Sequence, residues 1–141
     1  MHTVYFDFKI WVSPEEVFKA VTEPVQLENW WTKTCSGKPA KGEEYNFFFE
    51  DPYDWYGEIS VLDPFKTVHY LVTKADVDWE GTLFGFNLKA IENGTRVSFF
   101  HRNWRAVNDN YKESGFIWAM SLNRLKNYLE KGEIIPFEER C

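Results

Sequence analysis

The sequence predicts an α+β fold: a curved antiparallel sheet of about seven strands wrapped around one long C-terminal helix, with two short helices after the first strand. Three observations predict it. The N-terminal stretch alternates apolar and polar residues, residues 33–104 read as strands punctuated by turns, and residues 109–131 carry one unbroken helical stripe.

Val4, Phe6, Phe8 and Ile10 share one face of a half-buried strand over Thr3 to Trp11. A helix starts where Ser13 can cap, Pro14 fits the first helical position and Glu16 completes a capping box. Val12 and Val17 form a hydrophobic staple, and Val17, Phe18 and Val21 the inner stripe. Pro24 restarts a second short helix that places Leu27, Trp30 and Trp31 on one side. Strands follow. Tyr45, Phe47 and Phe49 share a face, Trp55 to Leu62 closes at Asp63-Pro64, and Thr67 to Thr73 and Trp79 to Ile91 come next. Asn93-Gly94 reads as a hairpin turn into a strand with Val97, Phe99 and His101 in phase. Strands joined so closely pair antiparallel. The last helix, Asp109 to Lys131, ends at Gly132; acids come early and bases late, in the sense the helix dipole favours. Its inward stripe is Tyr111, Gly115, Trp118, Leu122, Leu125 and Leu129. No linker or repeat interrupts the chain, so residues 1–141 are expected to form a single domain.

Composition narrows the function. Sixteen Lys and Arg against 22 Asp and Glu give a net charge of −6, without the basic stripe that phosphate binding needs, so no nucleic-acid partner is expected. No apolar run approaches a membrane span. With only Cys35 and the terminal Cys141, a reduced, cytoplasmic protein is expected. Aromatics make up 19% of the chain, so either the core is unusually aromatic or it surrounds a cavity.

The stretches "SPEEVFKAVTEPVQLENWWT", "GEISVLDPFKTVHY", "GTRVSFFH" and "SGFIWAMSLNRLKNYLEKG" carry a resemblance spanning nearly the whole chain. In this order they resemble the START-like, helix-grip superfamily (SRPBCC, the birch pollen allergen-like fold), in the branch related to the C-terminal domain of the heat-shock protein 90 ATPase activator. The resemblance implies an apolar cavity between sheet and long helix, entered near the helix pair and the strand-end loops. The superfamily holds lipid binders, cyclases, hydrolases and co-chaperone domains, so fold alone does not name the activity. In the eukaryotic activator a separate N-terminal domain contributes chaperone binding; this chain is expected to lack it.

The residues themselves offer three chemistries. For a metal, the only histidines are His2, His69 and His101, with no paired spacing; Asp76, Asp78 and Glu80 read as a solvated acidic loop, and neither metal nor cofactor is expected. For covalent catalysis there is no nucleophile elbow or reactive-thiol signature. For an apolar site, Phe47, Phe49, Phe84, Phe86, Tyr111 and Trp118 supply walls, and His101 with Asn103 supplies polar points. An inward His101 is either a satisfied structural group or a group that orients a ligand or moves a proton. Gly115 in an inner stripe costs about 1 kcal/mol against Ala, which marks either close packing on the sheet or room for a guest. Trp30 is expected to be buried against sheet or cavity with Trp31 the more exposed partner at the lip, or else both are core. The leading expectation is a non-catalytic binder of a small apolar or amphipathic molecule. A protein-interaction domain and a cyclase- or hydrolase-type enzyme are the alternatives; oligomeric state is left open.

Overall fold

In the computed structural model, which describes residues 1–140, strand β1 (His2–Ile10) leads into helices α1 (Pro14–Thr22) and α2 (Pro24–Leu27). Six strands follow: β2 (Thr34–Ser36), β3 (Glu44–Glu50), β4 (Tyr53–Asp63), β5 (Thr67–Lys74), β6 (Leu83–Ile91) and β7 (Gly94–Trp104); α3 (Asp109–Lys131) comes last, before a 3-10 turn at Phe137–Glu139. Cys141, expected to be an untethered terminal cysteine, lies outside the described residues. The seven strands form one antiparallel sheet in the order β1-β7-β6-β5-β4-β3-β2. This is the α+β helix-grip architecture that the sequence predicts.

Local chemistry sets the helix ends. The Glu16 N–H donates to Ser13 Oγ (3.2 Å) with Pro14 in the first turn. The Tyr111 N–H donates to Asn108 Oδ1 (2.9 Å), and Gly132, at φ 68°, ends α3 with its N–H on Tyr128 O (2.9 Å).

Three boundaries differ from the sequence reading. The second helix stops at Leu27, and Trp30 and Trp31 occupy the turns beyond it. The strand expected from Trp79 begins only at Leu83. Asp76 Oδ1 accepts the N–H groups of Asp78 (3.0 Å) and Trp79 (2.9 Å), and Gly81 sits at φ 82°, so residues 76–82 curl before pairing can start. The hairpin is centred one residue early, on Glu92 and Asn93: Gly94 already pairs with Ile91. Gly94 is needed for close approach instead, since a Cβ there would lie 2.7 Å from Ile10 O.

The core lies between the concave face of the sheet and the helices α1 and α3, and it mixes Val, Leu and Ile with many aromatic side chains. Trp118 of α3 sits 4.5 Å from the ring of Phe99, 5.0 Å from Trp31 and 5.4 Å from Phe84. The α3 helix packs most closely on β1 and α1. Lys126 Nζ donates to Lys9 O (2.7 Å), and the Trp11 N–H donates to Glu130 Oε2 (2.9 Å). These bonds hold the helix toward the β1 edge of the curved sheet, and space opens on its other flank.

Candidate functional site

On that flank two cavities of about 890 Å³ and 520 Å³ adjoin one another, sharing Trp31, Phe49, Glu113 and Ile117 in their walls. The smaller lobe lies between α3 and the β3–β4 end of the sheet. Its walls are Trp31, Trp55, Trp79 and Trp118, with Tyr53 on the rim and Asp76, Asn110 and Ser114 as the polar residues at one side. The larger lobe runs along the outer flank of α3, under Ile117 and Met120, to Arg124 and the C-terminal residues Phe137 and Arg140.

The tandem tryptophans divide the work. Trp30 is fully buried and donates its indole N–H to Ala20 O (2.9 Å), which ties the corner to α1. Trp31, 7% exposed, stacks on Trp118 and meets Phe47, Phe49 and Phe84 edge-on or tilted, so it forms the partition between lobes and core. Trp31 is itself core, buried where an exposed lip position was the alternative, and it belongs to both lobes although it is not among the candidate residues.

His101 is a structural node. Its Nδ1 accepts from the Trp118 indole N–H (3.1 Å), which fixes the proton on Nε2; Nε2 then donates to Thr82 Oγ1 (2.8 Å), and Thr82 Oγ1 donates to Trp79 O (2.5 Å). The side chain is fully buried, and burial pushes its pKa down to about 3. Both ring nitrogens are therefore engaged inside the protein, and the expectation that His101 orients a ligand or moves a proton is corrected. Its neutral form positions Trp118 and, through Thr82, the turn that carries Trp79.

The other expected residues separate into three groups. Phe49 and Trp118 line the cavities. Trp30, Phe47, Phe84 and Phe86 are core behind the partition, at 0%, 2%, 1% and 1% exposure. Tyr111 and Gly115 are corrected, because they lie toward the other flank. The Tyr111 hydroxyl donates to Thr3 O (3.2 Å) beside β1, and Gly115 belongs to neither lobe. Helical pitch aligns Gly115 with Ala119, Leu122 and Lys126, which border a shallow depression of about 210 Å³ against Phe6 and Phe8 of β1. Nothing lies within 4 Å of a Cβ built on Gly115, so it is no close-packing glycine. Asn103 adopts φ 73° where the β1–β7 register shifts and lines neither lobe, so the polar point expected there is corrected.

The acidic loop is also structural. The Asn110 amide donates to Asp76 Oδ2 (3.3 Å) and Asp78 Oδ2 (3.0 Å), and Asn108 Nδ2 donates to Asp78 Oδ1 (3.2 Å). Trp79 Nε1 donates to Ser114 Oγ (3.1 Å), which donates to Asn110 Oδ1 (3.2 Å). Residues 76–82 are thereby clamped to the start of α3, and this clamp holds Trp79 in the wall. Cys35 is a poor nucleophile: burial, then the charge of Glu28, pushes its thiol up to about 12. No group of His, Cys, Asp and Glu able to hold a metal is present among the described residues. No helix among them is long and apolar enough to cross a membrane.

Sequence reasoning missed Trp55, Trp79 and the C-terminal residues around Phe137. Trp79 was assigned to a strand, and the segment after Gly132 carries no periodic pattern that would direct it back over α3.

Comparison with known proteins agrees with this architecture. The family model described as Activator of Hsp90 ATPase homolog 1-like protein matches residues 12–130. The Aha1 dimer from Colwellia psychrerythraea, solved in solution, is 32% identical over 94% of this chain and 99% of that one, with a TM-score of 0.86. Protein MLL2253 from Mesorhizobium loti is 22% identical (94% and 100% covered, TM-score 0.83), and CalU16 from Micromonospora echinospora 16% identical (98% and 82%, TM-score 0.75). These last two likenesses concern the fold alone. No curated protein matches the sequence.

Proposed function

The chain belongs to the Activator of Hsp90 ATPase homolog 1-like family, and from that premise we propose that it binds a small apolar or amphipathic molecule, without catalysis, in the two-lobed cavity beside α3. The observation that carries this reading is a pair of adjoining cavities that share Trp31, Phe49 and Ile117, the smaller of them walled by four tryptophans beside Asp76, Asn110 and Ser114. Ligand sites are concave, largely apolar and mostly preformed, and cavities of about 300–1,000 Å³ hold drug-sized molecules. The side chains that would touch the guest are Trp31, Phe49, Trp55, Trp79, Ile117 and Trp118. His101 acts only through Trp118. A reducing, cytoplasmic setting is part of the proposal and rests on the cysteine usage.

Gentle purification followed by native mass spectrometry tests it, together with titration by an apolar dye read by tryptophan fluorescence. The expected result is a saturable one-to-one curve with Trp31 and Trp118 as reporters. If the folded protein carries no small molecule and binds no apolar probe, the reading falls.

A second reading is favoured by the family match and by a surface feature. Phe116 and Ile117 of α3 are 66% and 53% exposed, an apolar surface suited to a protein partner. On this reading the chain stimulates an Hsp90-type ATPase or, like its Colwellia relative, pairs with itself. An ATPase assay with added chaperone and sedimentation of the isolated protein separate these outcomes.

A further inference from the structure

The two lobes hold their polar groups differently. Arg124 and Arg140 line the far end of the larger lobe, and neither borders the smaller one. In the smaller lobe the polar side chains satisfy one another. Asp76 accepts the N–H groups of Asp78 and Trp79 and the Asn110 amide, and Ser114 Oγ accepts from Trp79 while donating to Asn110 Oδ1. Of the four tryptophans in this wall, Trp79 spends its indole N–H on Ser114 Oγ (3.1 Å) and Trp118 on His101 Nδ1 (3.1 Å). The Trp31 indole donates to nothing, although the residue is only 7% exposed. Among the described residues the sealed polar side-chain atoms without a partner are Thr32 Oγ1, His69 Nδ1 and Trp104 Nε1. Trp31 Nε1 is not one of them, so this N–H reaches open space. The ring is packed by Trp30, Phe47, Phe49, Phe84 and Trp118, and the space it borders is the two lobes. Trp55 Nε1 is likewise without a partner, but that residue is half-buried beside Tyr53 at the rim.

We propose that Trp31 Nε1 is the polar anchor of the cavity, and that the guest is a neutral, largely apolar molecule with one buried hydrogen-bond acceptor, a carbonyl or ether oxygen. The inference rests on the cavity reading above and adds the polarity that the guest must have. Without a guest, water can accept from an N–H that faces open space. A hydrocarbon guest expels that water and leaves a buried donor unpaired, which costs more than an ordinary hydrogen bond gains. A guest that places an oxygen there avoids the loss, so the site selects by acceptor and not by apolar area alone. An anionic acceptor is disfavoured, because Asp76 and Glu113 line the same lobe and the chain carries a net charge of −6.

The test uses three probes of one shape: 2-acetylnaphthalene, 2-isopropenylnaphthalene, in which a methylene group replaces the oxygen, and 2-naphthoate. Binding is followed by displacement of an apolar dye and by heteronuclear NMR of the indole N–H groups. With the ketone, the Trp31 indole proton is expected to move downfield and to exchange more slowly with solvent; with the alkene it should not move downfield. Trp31→Phe keeps an aromatic ring without the donor. It should weaken the ketone about five- to tenfold and the alkene only about twofold. Naphthoate should bind the unaltered chain at least about threefold more weakly than the ketone. If Trp31→Phe does not fold, the indole resonances of the unaltered chain decide. The anchor is overturned, and the cavity reading left standing, by a ketone that binds without moving Trp31 downfield or that moves Trp55 in its place. Equal losses of ketone and alkene on Trp31→Phe overturn it as well. Naphthoate binding as tightly as the ketone overturns the neutral class of guest. If none of the three binds, both readings fail.

Discussion

On the flank of α3 that faces β1, Leu122 is 3% exposed and Lys126 and Glu130 tie the helix to the backbone of Lys9 and Trp11. On the flank that faces β3 and β4, Ile117 is 53% exposed and the space below it is a cavity. Both flanks carry apolar residues, so hydrophobicity does not separate them. The difference is geometric. A sheet this curved cannot contact a straight helix along both edges, and the polar bonds to β1 decide which edge is met. The aromatic layer under Trp118 then closes the core behind the cavity, so the open flank is a second surface and not a failure of packing.

Substitutions that discriminate between the flanks sharpen this comparison. The largest effect is expected from Leu125→Ala, since Leu125 is fully buried between α3 and the sheet. It should cost about 2–5 kcal/mol in denaturant unfolding. A cost below about 1 kcal/mol would mean that the closed side is also loosely packed.

Next comes the node that links the two sides. His101→Gln breaks the geometry joining Trp118 to Thr82 and should cost about 1–3 kcal/mol at neutral pH. It should also change the acid limb. The folded-state pKa of about 3 lies below the ordinary 6.5, so between these values the unfolded chain takes the extra proton. The stability tied to neutral His101 is complete above about pH 6.5 and is lost as pH falls toward 3. His69, lowered first by burial, contributes with the same sign. The variant's stability should therefore fall less steeply with acid than the parent's in chemical denaturation from pH 7 to 4. Parallel curves would show that His101 titrates normally.

Gly115→Ala acts in the opposite direction. The position is helical and a Cβ there meets nothing within 4 Å, so stability should rise by about 0.5–1 kcal/mol. Binding of an apolar probe should not change, because Gly115 borders neither lobe. Weakened binding would return Gly115 to the site.

The smallest effect on stability should come from Ile117→Ser on the open flank, within about 0.5 kcal/mol. Probe binding should weaken several-fold, since Ile117 lines both lobes. Unchanged binding would move the guest elsewhere.

The sequence by itself determined the elements whose causes are local. Ser13 with Pro14, Asn108, and Gly132 place their helix ends through bonds that reach at most four residues, and the period-2 alternation of β1 survives as buried and exposed faces. The order of the strands and the helices around them was legible for the same reason, and so was the aromatic surplus that required either a dense core or a cavity. Only the tertiary structure decided that this chain has both. Trp118 lies on the predicted stripe, but the stripe spans a wide arc, and which side of it opens depends on the lean of α3 set by Lys126 and Glu130. His101 pointed inward as its phase implied, yet its role depended on Trp118 and Thr82, residues 17 and 19 positions away. The arginines and Trp79 entered the site through contacts between segments as distant as Glu28 and Arg140, and no periodicity encodes those. Local bonding writes the elements into the chain; the cavity is the space left where distant elements fail to meet, and such a space has no residue of its own to announce it.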